Sequence, residues 1–493
     1  MYLIGYDSGT SSIKATLMDA QTGTVVASAT SPKKEMEIIA KQAGWAEQDP
    51  QGWWDNVKNA TAEMLASVDI DTADIKAIGI TYQMHGLVCV DKNKEVLRPS
   101  IIWCDSRAVP YGEKATTALG ADHCLEHLLN YPGNFTATKL AWVKENEPHL
   151  FDKIDKIMLP GDYLAMKMTG EINTTESGLS EGILWDFKCK QIANFLMNHL
   201  GFSNDILPSI VPTFGDQGEL SAAAAAELGL KAGTKIAYRA GDQPNNAFSL
   251  NVLEPGEVAA TAGTSGVVYG IGDKPTYDSK SRVNTFVHVN STDEAPRNGA
   301  LLCVNGTGIL NSWLKHNAAG GMDYPEMNEL AGKAPIGADG LSILPYGNGA
   351  ERTLENKDIG AAISGLNFNT HNTGHMLRAA QEGIVFALNY GFDIFKGMGV
   401  EVNTVRAGDA NMFLSDIFAS TFSNVTGATV ELHNTDGSQG AARGAGVGSG
   451  AYSSFKDAFV GFKKTKTIEP KAGEVEQTKE AYLKWLTALN EKL

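Results

Sequence analysis

One short phrase occurs twice in this chain, each time between two apolar runs. Asp7-Ser8-Gly9-Thr10-Ser11 follows Tyr2-Leu3-Ile4, and Ala262-Gly263-Thr264-Ser265-Gly266 follows Val258-Ala259-Ala260. Both read as strand, tight turn, strand. Glycine leaves the backbone bare enough for N–H groups to approach an anion, and the neighbouring hydroxyls add donors. A single Gly-Thr-Ser is an ordinary turn. Two copies, with Thr10 and Thr264 standing 254 positions apart, predict two related halves that grip one polyphosphate from opposite sides.

A second echo is weaker. Arg239-Ala240-Gly241-Asp242 and Arg406-Ala407-Gly408-Asp409 each follow a strand-like run, but they lie 167 positions apart, so they are not equivalent points of two halves. The local reading survives. Each Gly-Asp sits at the carboxyl end of a predicted strand, where open α/β sheets place ligand-binding groups.

At 493 residues the chain exceeds what one core usually holds, so two domains of about 200 to 250 residues are expected. They are placed at 1–245 and 246–493. The formal net charge of −16, from 57 acidic against 41 basic residues, speaks against a nucleic-acid partner. A phosphate site in so acidic a chain must rely on backbone N–H groups, helix N-termini and a divalent cation, with Lys14 among the few basic neighbours. No stretch approaches the roughly 18 apolar residues of a membrane span, and Met1 leads straight into a strand-like run, so a cytoplasmic protein is expected. The five cysteines are odd in number and scattered, without a Cys-x-x-Cys pair. That argues against a disulfide framework or a zinc site and predicts small buried side chains.

Ile4–Tyr6, 13–18 and 24–28 read as a meander, with a turn at 19–23. Asp49 at the N-cap and Pro50 open a helix whose Trp54, Val57, Ala60 and Leu65 share a face. Residues 75–80 form a buried strand ending near Gln83-Met84-His85-Gly86, and 88–90 with 96–97 form a hairpin. The segment 154–213 reads as structural. Helices follow at 222–230, capped by Ser221, and at 375–395 and 416–425. The glycine-rich 437–450 reads as a helix packed very close to a neighbour or a ligand, and 474–493 as a terminal helix with a Tyr482, Trp485, Leu486, Leu489 stripe.

Several polar residues stand where chemistry is possible. Asp242 precedes the polar turn Gln243-Pro244-Asn245-Asn246 and reads either as a proton acceptor beside a ligand or as a helix cap. Asp7 reads as a turn carboxylate or a magnesium ligand. His85 beside Met84 reads as a buried histidine or a ligand contact, and Trp45 and Trp103 as core or as stacking faces for a sugar.

Asp7-Ser8-Gly9-Thr10, Trp45-Ala46-Glu47-Gln48-Asp49-Pro50, Gln83-Met84-His85-Gly86, Phe135 to Trp142, Gly241-Asp242, Gly263-Thr264-Ser265-Gly266 and Glu351-Arg352-Thr353 together resemble the FGGY carbohydrate kinases, almost end to end. The resemblance implies an α/β protein of two ribonuclease H-like domains with the actin-like ATPase fold, closing over an interdomain cleft for MgATP and a sugar. It implies a catalytic base at Asp242; substrate contacts at Met84, His85, Trp103, Gln243 and Asn246; nucleotide contacts at Asp7, Thr10, Ser11, Lys14, Gly263, Thr264, Gly408 and Asn411; and magnesium at Asp7. Within the family, the Trp-x-Glu-Gln-Asp-Pro and Gln-Met-His-Gly signatures are most similar to those of kinases of the ketopentose D-xylulose. Ribulose, gluconate, fuculose and glycerol stay open as substrates, as does a non-catalytic sugar- and nucleotide-binding regulator. The expected partners are a small sugar and ATP, with a homodimer allowed. The adenosine region departs from the family's three-glycine turn by placing Asp409 after Gly408, and Asn134 and Gln381 depart elsewhere, at positions that read as peripheral.

Overall fold

The computed structural model describes residues 1–493. The chain forms two compact units, Met1–Asn251 with Phe286–Arg297 and Thr435–Phe462, and Val252–Thr285 with Asn298–Asn434 and Lys463–Leu493. The division at 245/246 read from the sequence falls inside the helix Asp242–Ser249, and it misses that 435–462 returns to the first unit.

In the first unit, strands β1 (Tyr2–Ser8), β2 (Ile13–Asp19) and β3 (Val25–Ser31) form an antiparallel meander, while β4 (Ile75–Tyr82) and β5 (Lys235–Gly241) add in parallel on the other side of β1. The order is β5-β4-β1-β2-β3. Apolar residues on the sheet faces, among them Ile4, Tyr6, Leu17 and Ile78, are fully buried.

The second unit repeats this order with different residues. Strands β6 (Glu257–Ala262), β7 (Gly266–Gly272) and β8 (Asn298–Val304) are the meander, and β9 (Thr404–Gly408) and β10 (Thr429–His433) are the parallel additions. Both Gly-Thr-Ser phrases are the turn between the first and second strands of their sheet, so they are equivalent points of a duplicated unit. The Arg-Ala-Gly-Asp echoes end β5 and β9, the fifth and fourth core strands of their sheets, and are not equivalent. A long helix, Thr373–Gly397, asked for by the apolar periodicity and capped by Asn372, lies in the second core. The terminal helix Ala472–Asn490 buries Tyr482, Trp485 and Leu489 as its stripe predicts.

Two local expectations change. Val88–Val90 pairs with Lys156–Met158, and residues 96–97 contribute a single bridge, Val90 to Val96, because the return segment is too short to build a ladder. Cys89 and Cys124 are buried as expected, but Cys104 and Cys189 are exposed.

The glycine-rich stretch is the helix Gly437–Gly448, capped by Asp436 and packed on β1, β4 and β5. Its approach is backbone to backbone. A Cβ on Gly5 would lie 1.8 Å from the Ser438 carbonyl oxygen, and one on Gly79 would lie 2.0 Å from that of Ala441. No side chain fits there. Gly79→Ala should therefore destabilise the first unit by about 1–3 kcal/mol or more, the cost of overpacking a closed core. Urea denaturation followed by tryptophan fluorescence checks this, and a midpoint equal to that of the parent chain would refute the close packing.

Candidate active site

The parallel strands of the first unit end in three groups of polar residues. After β1 comes the turn with Asp7 and Gly9, after β4 comes Gln83-Met84-His85, and after β5 comes Gly241-Asp242. Asp242 is the first residue of the helix Asp242–Ser249, with Gly241 as its N-cap. Asp242 therefore stands in the first turn of the helix and is not its cap, and its residue is half-buried rather than fully exposed.

Its electrostatic surroundings are unusual for a terminal carboxylate. Burial, together with the charge of Asp7, pushes the Asp242 carboxyl up to about 7, although the Gln243 backbone and side chain work in the other direction. Asp7 is pushed up to about 7 by burial and by Asp436, with Lys14 opposing. Lys14 faces Asp7 across the β1/β2 ladder and holds Asp436 at 2.8 Å. Burial works to raise Asp436 as well, but the Lys14 ammonium and the Ser438 hydroxyl hold it below the usual carboxylate range. Three carboxylates thus share one neighbourhood with a single ammonium.

Gly437 makes this cluster possible. A Cβ there would lie 2.4 Å from the Asp7 Oδ2. The Asn245 side-chain amide donates to the Gly437 carbonyl at 2.9 Å, tying the helix behind Asp242 to the same place. The Asn245 Oδ1 and the Ser8 and Thr435 hydroxyls are buried with no protein partner.

The signature residues form a scaffold around these turns. Gln48 donates to the Thr10 carbonyl at 2.7 Å and accepts from Gln83 at 2.8 Å and from the Trp53 indole at 3.1 Å. The Thr10 hydroxyl donates to Gln83 at 3.3 Å and accepts from the Trp103 indole at 2.9 Å. Thr10 is therefore held by side chains of its own unit, and Trp103, 52% exposed, is neither core nor isolated. Ser11 is exposed. Glu47 accepts from Arg98 at 2.6 Å and Arg107 at 2.7 Å, Arg107 pairs with Asp105, and the Arg107 guanidinium lies 3.8 Å over the Trp45 ring. Trp45 thus packs against a cation, with its sequence neighbours in the layer behind the turns.

His85 adopts φ +63°, left-handed for a residue with a Cβ. It is pinned by contacts on every side: its Nδ1 bonds the Glu181 carbonyl oxygen at 2.9 Å, its ring meets Phe135 edge-on at 4.9 Å, and the buried Lys139 ammonium donates to its carbonyl at 2.7 Å. Burial pushes Lys139 down to about 7. Met84 is buried against the Gly241 turn, where a Cβ would lie 2.6 Å from its Cγ. Gln243 and Asn246 are half-buried on the helix that begins at Asp242.

Sequence reasoning missed Glu181, which lies in the segment read as structural. Its carboxyl is buried beneath Gly241, with an oxygen 2.7 Å from where a Cβ there would sit. Burial holds its proton affinity well above the carboxylate range, and the charges of Asp242 and Asp162 add to this. Only the third dimension brings residue 181 to the end of β5.

In the second unit a cavity of about 950 Å³ is lined by Gly263, Thr264, Gly308, Asn311, Tyr324, Asn328, Asn411 and Ser415 among others. It collects Gly263, Thr264 and Asn411. The helix Gly308–Asn317 starts against the turn, with the Gly308 and Ile309 N–H groups donating to the carbonyls of Gly263 and Thr264 at 2.9 and 3.1 Å. Gly308, Asn311 and Asn328 left no motif in the sequence. Gly408 ends β9 with open space where a Cβ would stand, and Asp409 is exposed, so water solvates its carboxylate. Gln381 is not peripheral. Buried in the long helix, it donates to Asn328 at 2.9 Å and accepts from the Ser415 hydroxyl at 2.6 Å, fixing two residues of the cavity wall. Asn134 donates to the Asp105 carbonyl and so supports the Arg107 network.

Two sheets of one topology, each with a Gly-Thr-Ser turn between its first two strands, define a duplicated actin-like ATPase fold. Residues 2–249 match the N-terminal domain, and residues 258–448 the C-terminal domain, of the FGGY family of carbohydrate kinases, and the chain belongs to that family. It is 32% identical over 488 residues to the xylulose kinase of Bacillus subtilis, covering 97% of this chain and 94% of that one. It is 28% identical over 445 residues to the xylulose kinase of Escherichia coli, covering 90% and 88%. The solved xylulose kinase of Rhodospirillum rubrum superposes with a TM-score of 0.89 at 25% identity, covering 100% of this chain and 99% of that one. The Plasmodium falciparum glycerol kinase solved with ADP shares the fold at a TM-score of 0.89 and 22% identity, covering 100% and 98%.

Gln381→Leu removes the buried partner of Ser415 and the partly buried bond to Asn328, so it should cost about 1–3 kcal/mol of stability. It should also weaken ADP binding, measured by calorimetry, without changing sugar affinity. Unchanged ADP affinity in a destabilised but folded variant would show that the cavity wall does not depend on this network.

Proposed function

We propose that the protein transfers the γ-phosphoryl group of ATP to the terminal hydroxyl of D-xylulose, giving D-xylulose 5-phosphate, in the cytoplasm. The observation that carries the chemistry is the Asp242 carboxylate: half-buried at the carboxyl end of β5, bonded by the Gln243 backbone and side chain, with its proton affinity raised to about 7. Such a group accepts a hydroxyl proton more readily than a solvated carboxylate does, and it orients the hydroxyl for in-line attack. The choice of D-xylulose rests on the relatives named xylulose kinase. Met84 and His85 are offered as sugar contacts, with Trp103 at the edge of the same site.

Gly263, Thr264 and Asn411 would receive the nucleotide in the second unit's cavity, with Gly408 close by, and Asp7, Gly9, Ser11 and Lys14 are offered as the phosphate side of the first. The oxygen donors around Asp7 fit a magnesium ion: carboxylate oxygens and buried hydroxyl and amide oxygens without a protein partner, with the Lys14 ammonium occupied by Asp436. Magnesium held there would neutralise charge on the transferred phosphoryl. Thr10 acts on this reading through its backbone and its bonds to Gln83 and Trp103, by holding the turn in shape.

ADP release assayed across D-xylulose, ribulose, gluconate, fuculose and glycerol tests the substrate. The greatest kcat/KM should fall to D-xylulose, and absence of ketose-dependent ADP release with magnesium present would refute the proposal. Asp242→Asn should keep the fold and both affinities while kcat falls by about two to four orders of magnitude. The sign of the pH dependence follows from the base. Protonated Asp242 cannot accept the hydroxyl proton, so kcat/KM for sugar should fall with unit slope as pH drops below about 7, and the residual activity of Asp242→Asn should lose that limb. A limb that persists in the variant would place the base elsewhere.

A further inference from the structure

Away from the residues of the candidate active site, the first unit gathers a histidine, an aspartate and a cysteine from two elements. His127 lies on the helix Ala121–Leu128, and Asp186 and Cys189 lie on the tight hairpin joining Trp185–Asp186 to Gln191–Ile192. The His127 Nδ1 is 2.9 and 3.0 Å from the two Asp186 carboxylate oxygens, and the ligand atoms of all three residues lie within 4.8 Å of one another. One turn before His127, the His123 ring lies 4.3 Å from the His127 ring, centroid to centroid.

Local geometry builds this arrangement. The Lys188 and Cys189 backbone N–H groups both donate to the Asp186 Oδ1 at 3.0 Å, which curls the turn and returns Cys189 to the carboxylate. The Phe187 N–H donates to the His127 carbonyl at 2.8 Å and locks the hairpin to the helix, while Phe195 packs edge-on against both histidine rings. Asp186 is buried and His127 nearly so. The Asp186 carboxylate can pair with a protonated His127 but only repels a Cys189 thiolate, whereas a divalent cation would accept the imidazole nitrogen, the carboxylate oxygen and the thiolate sulfur together.

We propose that His127, Asp186 and Cys189 form a three-residue binding site, with the remaining position open to water, for a zinc-type transition-metal ion that staples the 186–190 turn to the helix Ala121–Leu128. Imidazole nitrogen, thiolate sulfur and carboxylate oxygen in a compact set are ligands for zinc and its neighbours, and a thiolate disfavours magnesium or calcium. The absence of a Cys-x-x-Cys pair, which argued against zinc at the level of sequence, does not bear on a site assembled from residues 127 to 189. The competing reading is a plain His127–Asp186 hydrogen bond with Cys189 as a bystander.

The thiol separates the two readings. The full chain, stripped with a chelator, is titrated with Zn²⁺ in competition with a chromophoric chelator, and separately with Co²⁺ followed by absorption. One Zn²⁺ should bind per chain, at micromolar concentration or tighter. Bound Co²⁺ should show a thiolate charge-transfer band. His127→Ala and Cys189→Ser should each weaken Zn²⁺ binding by at least about tenfold, and Cys189→Ser should abolish the band. Because Cys189 is exposed, its replacement should leave the fold and the kinase activity unchanged. Affinity should also fall as pH drops through the histidine range, since protons compete for the imidazole. Absence of stoichiometric Zn²⁺ binding, or binding and a band unaffected by Cys189→Ser, would overturn the proposal.

Discussion

The contact on which the first unit most depends is the bare backbone of the helix Gly437–Gly448 lying against β1 and β4. Glycines supply both sides of it: Gly5 and Gly79 on the sheet leave no room for a Cβ, and Gly437, Gly440 and Gly444 on the helix lie equally close to Asp7, Ser249 and Tyr238. Dispersion and burial reward such closeness only when there are no voids. The same closeness carries Asp436 and Gly437 to Asp7, so the packing of a structural helix and the electrostatics of the candidate site are one feature.

That electrostatic arrangement is expensive by itself. Three carboxylates near one ammonium, in a half-buried place, repel one another and lose hydration. The fold tolerates this because Lys14, Ser438 and Gln439 bond Asp436, which leaves Asp7 and Asp242 to take up the strain as raised proton affinity. Such strain is common where a cation or a transferred proton belongs. Glu181, buried under Gly241, shows the same strain in its own raised proton affinity, to which the charge of Asp242 contributes.

Much of this was legible in the sequence. The two Gly-Thr-Ser turns marked the duplication because they occupy equivalent points of a repeated strand order. The glycine-rich stretch read as a closely packed helix rather than a flexible linker, because its Gly-Ala spacing repeats at helical intervals, and Asp49-Pro50 announced a helix start. What stayed hidden depends on contacts between distant residues. Gln381 departed from the expected pattern and looked peripheral, yet it reaches Asn328 and Ser415. Glu181 sat in a segment without a motif. The return of 435–462 to the first unit follows from where β10 ends, which no local signal encodes. Thr10 read as a phosphate ligand from its turn chemistry, while its hydroxyl is engaged by Trp103 and Gln83, partners 93 and 73 positions away.

The central claim is that burial and crowded negative charge raise the proton affinity of both Asp7 and Asp242 toward neutrality. Carboxyl C=O infrared absorption, titrated in the ligand-free chain and in Asp7→Asn and Asp242→Asn, measures it directly. The two carboxyls should titrate near 7, Asp242 should titrate lower in Asp7→Asn once that charge is gone, and magnesium with nucleotide should remove the protonated band at neutral pH. A ligand-free chain in which both carboxyls titrate at the ordinary value of about 4, with Asp242 indifferent to Asp7→Asn, would contradict the account.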